Sequence, residues 1–181
     1  MSNTMDGMTG RLIETVDKLD KNTYIIYIGD NGTWMFGEGR EFIDNMYITR
    51  RGRSKGTAFE SGVRVGMAVR GPRIKAGSQR EELVNGVDLF STILDLAGLD
   101  IPETVPNRTG DGTVDVDSVS ITPILFENAK DLRDPDKGYM LAETINPVST
   151  VKPNLKQVGA RNKTYKLICD ETPETANCVF Y

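Results

Sequence analysis

The stretch Tyr24-Ile25-Ile26-Tyr27-Ile28-Gly29-Asp30-Asn31-Gly32 decides the fold of this chain. Five consecutive β-branched or aromatic residues end in a glycine, two short polar side chains and a second glycine. The run does not alternate between apolar and polar residues, which predicts a central strand covered on both faces. In open α/β sheets, ligands bind just beyond the carboxyl ends of such strands. The stretch therefore predicts a site at Asp30 and Asn31.

The tripeptide Asp30-Asn31-Gly32 has two interpretations. A carboxylate and an amide carbonyl are hard oxygen ligands of the kind that Ca²⁺ and Mg²⁺ prefer. Asn-Gly is also a strong turn signal, and Gly32 allows a sharp turn or a positive φ. On the tripeptide alone, a plain turn is favoured over a metal site.

The composition is that of a globular protein with a mildly acidic balance. The formal net charge of -4 over 181 residues gives no indication of a nucleic-acid partner or an anionic membrane surface. No apolar run is long enough to span a bilayer. The sequence contains no histidine, which excludes a Ser-His-Asp or Cys-His arrangement and a histidine-ligated zinc site within it.

The two cysteines, Cys169 and Cys178, lie close together near the end of the sequence. Two cysteines do not make a zinc site. They are compatible with a hairpin disulfide in an exported protein and equally with two buried free thiols. Both alternatives stay open from the sequence.

The first part of the chain has the pattern of a layered α/β domain. An amphipathic helix within residues 1–22 leads directly into the strand at 24–28. Residues 32–54 are predicted to be a long, glycine-rich loop, and residues 65–69 a second short buried strand. Long structured loops at strand ends are usually functional.

The second part begins with the clearest helical periodicity, within residues 79–98. The strongest part is predicted at Leu89–Ala97, with Asp88 as its N-cap and Gly98 as the residue that follows its C-terminal end. Residues 99–118 are predicted to be loop, and residues 119–126 a short apolar stretch. Four short strands of an antiparallel sheet are predicted at 139–144, 157–161, 165–169 and 178–181.

Several stretches, in order, resemble the sulfatase family of the alkaline-phosphatase-like superfamily. The family pattern is an apolar strand ending in Asp-Asn-Gly, then a loop, then Lys-Gly-Thr-x-x-Glu-Gly-Gly-x-Arg-x-Pro. Residues 24–32 resemble the first part, and Lys55-Gly56-Thr57-Ala58-Phe59-Glu60-Ser61-Gly62-Val63-Arg64-Val65-Gly66 resembles the second. Residues 73–78, 87–98 and 117–125 resemble three later family motifs. The sequence departs from the pattern at Ser61, Gly66 and Ser91, where glycine, proline and proline are usual.

The resemblance implies an α/β fold, with residues 1–137 as the C-terminal part of a sulfatase catalytic domain. That domain contains an alkaline-phosphatase-like three-layer α/β/α sheet. Residues 138–181 would form a small antiparallel β subdomain that is truncated at its end.

The resemblance also implies the roles of three residues. Asp30 and Asn31 would be metal ligands of the active-site divalent cation, usually Ca²⁺, and Lys55 would be a catalytic residue that reaches the sulfate group. The alternative for Lys55 is a solvated member of the basic cluster at 50–55. For Glu60 and Arg64, we expect a structural ion pair that joins the loop to the following strand.

The sequence lacks the family's Cys/Ser-x-Pro-x-Arg motif, whose first residue becomes the formylglycine nucleophile. Asp30 and Asn31 also supply too few oxygens, because Ca²⁺ takes about 6–8. We therefore expect the chain to be the C-terminal portion of a sulfatase, inactive alone. A missing N-terminal part, upstream or on a complementing chain, would carry the formylglycine and an Asp-Asp pair.

Two other functions remain open. One is a phosphate or phosphonate monoester hydrolase of the same superfamily, and the other is a catalytically inactive remnant or binding module. For a sulfatase, the expected substrate is a small sulfate ester or a sulfated glycan, and family habit suggests a periplasmic, lysosomal or secreted location. Removing neighbours from the strand at 24–28 would expose an edge and apolar surface, so we expect self-association or poor solubility.

Overall fold

The computed structural model describes residues 2–32, 40–43, 46–49, 55–134, 138–145, 156–171 and 175–181. These residues form two compact units. The first unit comprises Met1–Gly29 and Gly66–Gln79, and the second comprises Asp30–Val65 and Arg80–Tyr181. The predicted boundary between two domains at residues 137 and 138 stays a prediction.

The helices are α1 (Ser2–Leu19), α2 (Glu60–Val63), α3 (Asp88–Leu96) and α4 (Thr122–Glu127). The strands are β1 (Ile25–Ile28), β2 (Arg40–Ile43), β3 (Met46–Thr49), β4 (Met67–Arg70), β5 (Thr104–Pro106), β6 (Thr113–Asp115), β7 (Met140–Ile145), β8 (Lys156–Arg161), β9 (Lys166–Glu171) and β10 (Ala176–Phe180).

The first unit contains α1 and an antiparallel pair formed by β1 and β4. Ile25 lies opposite Arg70, and Ile28 lies opposite Met67. The Arg70 guanidinium forms an ion pair with Asp17 of α1 at 2.9 Å, which ties the helix to this pair of strands. The predicted helix and both predicted strands are therefore present, within a residue or two of the expected bounds.

The environment of β1 differs from the prediction. Among the described residues, β1 has one paired neighbour, β4. Tyr27 is 46% exposed and Ile28 is 36% exposed, so the strand is not covered on both faces. The composition of β1 is that of a central strand, but a single short neighbour leaves these two side chains in solvent.

The second unit contains a four-stranded antiparallel sheet in the order β10-β9-β8-β7. All four strands lie where the sequence predicts them. The carbonyl oxygen of the Asn162 side chain accepts hydrogen bonds from the backbone N–H groups of Thr164 and Tyr165, which fixes the turn between β8 and β9. Cys169 and Cys178 lie directly opposite each other on β9 and β10 and form a disulfide. Of the two alternatives, the hairpin disulfide is therefore the one that the structure contains.

Helix α3 coincides with the strongest part of the predicted helical region and is fixed by a buried carboxylate. It begins at Asp88, so residues 79–87 are not helical and the residue before the helix is Val87. Asp88 is fully buried and accepts hydrogen bonds from the N–H groups of Asn85 at 2.8 Å and Val119 at 3.1 Å. The carboxylate also pairs with Arg133. The predicted N-cap role is thus wrong, because this side chain joins three segments. The prediction for Gly98 is confirmed by its φ of 70°.

Two predicted loops contain strands. The loop predicted over 32–54 carries the antiparallel pair β2 and β3, with Arg40 opposite Thr49. The loop predicted over 99–118 carries the pair β5 and β6. The apolar stretch at 119–126 contains α4, with Pro123 in its first turn, where a missing N–H costs nothing. Trp34 and the arginines at 50, 51 and 53 lie outside the described residues.

None of the helices among the described residues combines the length and the apolar character needed to cross a bilayer.

Candidate active site

Asp30 and Asn31 form an exposed turn directly after β1. The Asp30 Oδ1 atom accepts a hydrogen bond from the Asn31 backbone N–H at 2.8 Å. The Asn31 Nδ2 atom donates to the Asp30 backbone carbonyl at 2.9 Å. These contacts leave Asp30 Oδ2 and Asn31 Oδ1 without a hydrogen bond from any described residue. The two predicted ligands thus present side-chain oxygen atoms on consecutive exposed residues of the second unit.

Gly32 is required by a close backbone approach. Its N–H donates to the carbonyl oxygen of Gly62 at 3.1 Å. A Cβ atom on Gly32 would overlap the backbone oxygen of Ser61, so no side chain can be accommodated. Gly32 does not have a positive φ, so the glycine is needed here for space and not for a left-handed conformation. The contact joins the Asp-Asn-Gly turn to the segment that begins at Lys55.

Lys55 begins a turn that leads into the short helix α2. The lysine is partly buried, and the next residue, Gly56, has a φ of 87°. This left-handed conformation is strained for residues with a Cβ atom, so the backbone favours a glycine directly after Lys55. The predicted catalytic lysine and the two predicted ligands therefore belong to the same unit, in segments that meet at Gly32 and Gly62.

The segment after Lys55 is seated on one face of the four-stranded sheet. We call this the inner face, and it carries Thr144, Gln157, Gly159, Arg161, Lys166 and Ile168. Ala58, which is 1% exposed, donates its backbone N–H to the Gln157 Oε1 atom at 2.6 Å. A Cβ atom on Gly159 would lie 3.0 Å from the Cβ of Ala58, so the glycine permits this approach. The Thr144 hydroxyl donates to the carbonyl oxygen of Gly56 at 3.3 Å.

Glu60 holds the far end of this segment through two ion pairs. Its carboxylate lies 2.7 Å from the Lys166 Nζ atom and 2.7 Å from the Arg161 Nη1 atom. Burial alone would raise the pKa of Glu60, but the hydrogen bonds and charges of Lys166 and Arg161 outweigh it and lower the pKa. The predicted structural role of Glu60 is thus present, but its partners lie on the C-terminal sheet and not at Arg64.

The residues present fit part of a divalent-cation site. Asp30 and Asn31 supply hard oxygen atoms, and both side chains are exposed. In the part of the chain that the structure describes, no group of three or more His, Cys, Asp or Glu side chains is arranged to hold a metal ion. The oxygen atoms of Asp30 and Asn31 are of the type that Ca²⁺ and Mg²⁺ prefer. These two residues supply only part of the ligands that such an ion requires.

Comparison with known proteins identifies the family. The family model described as Sulfatase matches residues 1–99, which is more than half of the chain. The chain belongs to the sulfatase family. The match includes β1, the Asp-Asn-Gly turn and the Lys55 segment.

Individual relatives of this sulfatase chain agree with the family model. Mouse arylsulfatase K is 36% identical over 107 residues, which cover 58% of this chain and 17% of that protein. Human N-acetylglucosamine-6-sulfatase is 32% identical over 124 residues, which cover 67% of this chain and 19% of that protein. The sulfatase chain thus spans less than a fifth of the length of either relative.

A solved structure supports the fold. A crystal structure described as a sulfatase from Bacteroides thetaiotaomicron superposes with a TM-score of 0.57 at 20% sequence identity, over 89% of this chain and 29% of that chain. The match confirms the predicted α/β fold of alkaline-phosphatase-like proteins, and the antiparallel β subdomain is present as β7 to β10.

Sequence reasoning missed the residues of the sheet that contact the Lys55 segment. Gln157, Arg161 and Lys166 are separated from their partners by 99, 101 and 106 residues, respectively. One signal was available for Gln157. It is a polar residue next to the run Val158-Gly159-Ala160, at a position whose alternation places it on the same face as Gly159. Nothing in the local sequence indicates its partner.

Proposed function

We propose that this chain supplies part of the active site of a sulfuric ester hydrolase that cleaves sulfate monoesters with the help of a divalent cation. Asp30 and Asn31 would bind the cation, and Lys55 would bind the sulfate group. The observation that carries the proposal is the contact between Gly32 and Gly62, since it brings two stretches of the family pattern into one unit.

The chemistry of sulfate ester hydrolysis suits these side chains. Negative charge accumulates on the oxygen atoms of the sulfate and the leaving group as the S–O bond breaks. A bound Ca²⁺ or related cation would supply Lewis-acid stabilisation of this charge. The Lys55 ammonium would add a second positive charge beside the sulfate group. Asp30 and Asn31 would orient the cation through oxygens that no described residue uses.

The nucleophile would come from residues outside these 181. The sequence contains no Cys/Ser-x-Pro-x-Arg motif, so the formylglycine of the family has no counterpart in it. We propose that an N-terminal part, on the same polypeptide or on a second chain, carries the nucleophile and the remaining metal ligands. Catalysis by this chain alone would then be absent.

A first experiment reads the DNA upstream of the codon for Met1. An in-frame extension that encodes an Asp-Asp pair and Cys/Ser-x-Pro-x-Arg is the expected result. A stop codon directly before a ribosome-binding site would contradict a single-polypeptide enzyme. In that case the search moves to a neighbouring reading frame that encodes the same two motifs, and its absence would overturn the proposal.

A second experiment measures activity of the assembled enzyme on 4-nitrophenyl sulfate and 4-nitrophenyl phosphate in parallel. We expect sulfate hydrolysis to exceed phosphate hydrolysis. The variants Asp30→Ala and Lys55→Ala should each lower kcat/KM by about 10²–10³-fold, because the first removes a ligand of the cation and the second removes a positive charge, and both the cation and the ammonium would stabilise the transition state. Lys75→Ala, in an exposed turn, is the matched control. Faster phosphate hydrolysis would favour the phosphatase alternative, and unaltered activity in Lys55→Ala would exclude the role of that lysine.

A further inference from the structure

The backbone of the Lys55 segment is held by one buried side chain of the C-terminal sheet. Gln157 is 5% exposed, and its Oε1 atom accepts the Ala58 N–H at 2.6 Å. Ala58 lies three residues after Lys55 and is itself buried. A buried backbone N–H that loses its acceptor destabilises the fold, so this contact fixes where the segment can lie.

A second contact fixes the orientation of the Gln157 amide. Its Nε2 atom donates to the Asp170 Oδ1 atom at 2.7 Å, across the pair formed by β8 and β9. The Ala58 N–H offers only a donor, and the Asp170 carboxylate offers only acceptors. A rotated amide would place two donors together and two acceptors together. The series Asp170, Gln157, Ala58 therefore has one arrangement in which every group is satisfied.

The contacts on either side leave the segment little freedom. Thr144 binds the carbonyl of Gly56 before Ala58, and Lys166 and Arg161 bind Glu60 after it. All of these groups belong to the inner face of the sheet. Gln157 is the one among them that acts on the backbone N–H in the centre of the segment.

We propose that Gln157 is a positioning residue for Lys55: by holding the Ala58 N–H, and being held by Asp170, it sets where the Lys55 ammonium meets the sulfate group. The inference rests on the proposed role of Lys55. A displacement of a catalytic group by about 1 Å can lower the rate by about 10²-fold, so a contact three residues away is sufficient to matter.

The amide and carboxylate can be exchanged as a test. Gln157→Glu keeps an acceptor for Ala58 but places two carboxylates side by side. Adding Asp170→Asn restores a donor and acceptor pair with the polarity reversed, since the introduced asparagine would then donate to the introduced glutamate. Asp170→Asn alone is the matched control, because the carbonyl of the asparagine still accepts from Gln157 Nε2. We therefore expect the double variant and the control to lie within about 3-fold of the wild type, and Gln157→Glu to lose about 10–100-fold in kcat/KM.

Two readouts separate positioning from general destabilisation. The first is kcat/KM of the assembled sulfatase across pH, where the loss in Gln157→Glu should shrink at low pH because the introduced glutamate, once protonated, can donate to Asp170. The second is hydrogen exchange at the Ala58 amide in this chain, which should accelerate in Gln157→Glu by about 10-fold or more and recover in the double variant.

The outcomes are distinguishable. Loss of activity in Lys55→Ala together with wild-type activity in Gln157→Glu would overturn the positioning role. A double variant as impaired as Gln157→Glu would also overturn it, since the polarity-reversed pair should restore the contact. If Lys55→Ala itself retained full activity, the proposed function would fail instead. If Gln157→Glu did not fold, a folded and active double variant would still support the role, and a folded but impaired one would overturn it.

Discussion

Gly32 has a structural role that the Asp-Asn-Gly pattern does not predict. The pattern suggests a turn residue with a positive φ, whereas the structure requires the absence of a side chain beside the Ser61 backbone oxygen. Residue-scale signals such as Asn-Gly predict that a glycine matters. They do not predict which neighbour it meets, because that neighbour lies 29 positions along the chain.

We expect Gly32→Ala to displace the Asp-Asn-Gly turn and to destabilise the second unit by about 1–3 kcal/mol, a typical cost of overpacking. The matched control is Gly86→Ala, because no atom lies within 4 Å of a Cβ built on Gly86. Urea unfolding followed by circular dichroism measures both. Equal midpoints for the two variants would contradict the close approach.

Arg133 compensates the buried charge of Asp88. The Asp88 side chain is fully buried, while the Arg133 side chain is 16% exposed. Arg133→Met would leave a buried carboxylate with only two backbone N–H donors, so we expect a loss of about 3–5 kcal/mol in the free energy of unfolding. Arg108→Met, at an exposed position, is the control and should stay within about 0.5 kcal/mol. A loss below about 1 kcal/mol in Arg133→Met would show that the pair does not stabilise α3.

The ion pairs of Glu60 predict how its contribution to the stability of the fold changes with pH. Its pKa is lowered in the folded protein, because the opposing effect of burial is outweighed by Lys166 and Arg161 together. Its stabilisation is therefore fully present above the unfolded-state pKa and is lost as the pH falls through the folded-state pKa.

We expect Glu60→Gln to lower stability by about 1 kcal/mol at neutral pH, a value limited by the partial exposure of the carboxylate. Urea unfolding at a series of pH values measures this, and the difference from the wild type should shrink as the pH falls through the acidic range. Glu81→Gln is the control, since Glu81 forms no ion pair with a described residue. A difference that grows towards low pH would contradict the assignment.

At the scale of elements, the sequence predicts best where local pattern and final environment agree. The helix α1 and the strands β7 to β10 have regular patterns with clear turn residues between them, and their positions were predicted within a few residues. The pairs β2–β3 and β5–β6 were missed because their strands are only three or four residues long. The first pair stands in a glycine-rich region, and the second stands in a region rich in glycine and aspartate.

Helix α3 shows why periodicity alone extends the predicted helical region too far towards the N-terminus. The apolar spacing continues through residues 79–87, but the helix begins only where Asp88 meets Arg133 and Val119. Ser91, which replaces the proline of the family pattern, is fully buried, and its N–H donates to the Ser118 hydroxyl at 3.0 Å. A proline has no N–H for this bond. These contacts between separate segments determine the helix and are invisible to periodicity.

The disulfide makes a prediction for the β9–β10 hairpin. Lys166 and Tyr181 exchange both backbone hydrogen bonds, so Cys169 and Cys178 fall on a non-hydrogen-bonded pair, where side chains are closest. The bridge spans a sequence separation of 9, which corresponds to about 2–3 kcal/mol from the entropy of the unfolded chain.

We expect Cys169→Ala combined with Cys178→Ala to lower the free energy of unfolding by that amount. Dithiothreitol should lower the stability of the wild type equally and leave the double variant unchanged. Urea titrations with and without the reductant check both statements. An unchanged wild type under reducing conditions would mean that the bond does not stabilise the fold.

At the scale of the whole molecule, exposed apolar surface predicts self-association. Met8 and Leu12 of α1 are 65% and 58% exposed, and Tyr27 of β1 is 46% exposed. Contiguous apolar surface drives proteins together, and the spacing of Met8 and Leu12 places them on one side of the helix.

We expect the isolated chain to elute as an oligomer or aggregate in size-exclusion chromatography with light scattering. Met8→Glu combined with Leu12→Lys should shift it towards the monomer, because both changes place charge on the apolar side of α1. Exchanging two polar residues of the same helix, Glu14→Lys and Lys18→Glu, is the control. A sharp monomer peak for the wild type, with a cooperative melt, would refute this expectation.

The hydrogen bond between Ala58 and Gln157 has a consequence for the time course of biosynthesis. The two residues are 99 positions apart, so the Lys55 segment leaves the ribosome long before its acceptor is made. At about 5–20 residues per second, translation of the intervening chain takes about 5–20 s. During this interval the Ala58 amide must be hydrated or bound by another protein. Maturation of the lysine segment therefore waits for synthesis of the last strands.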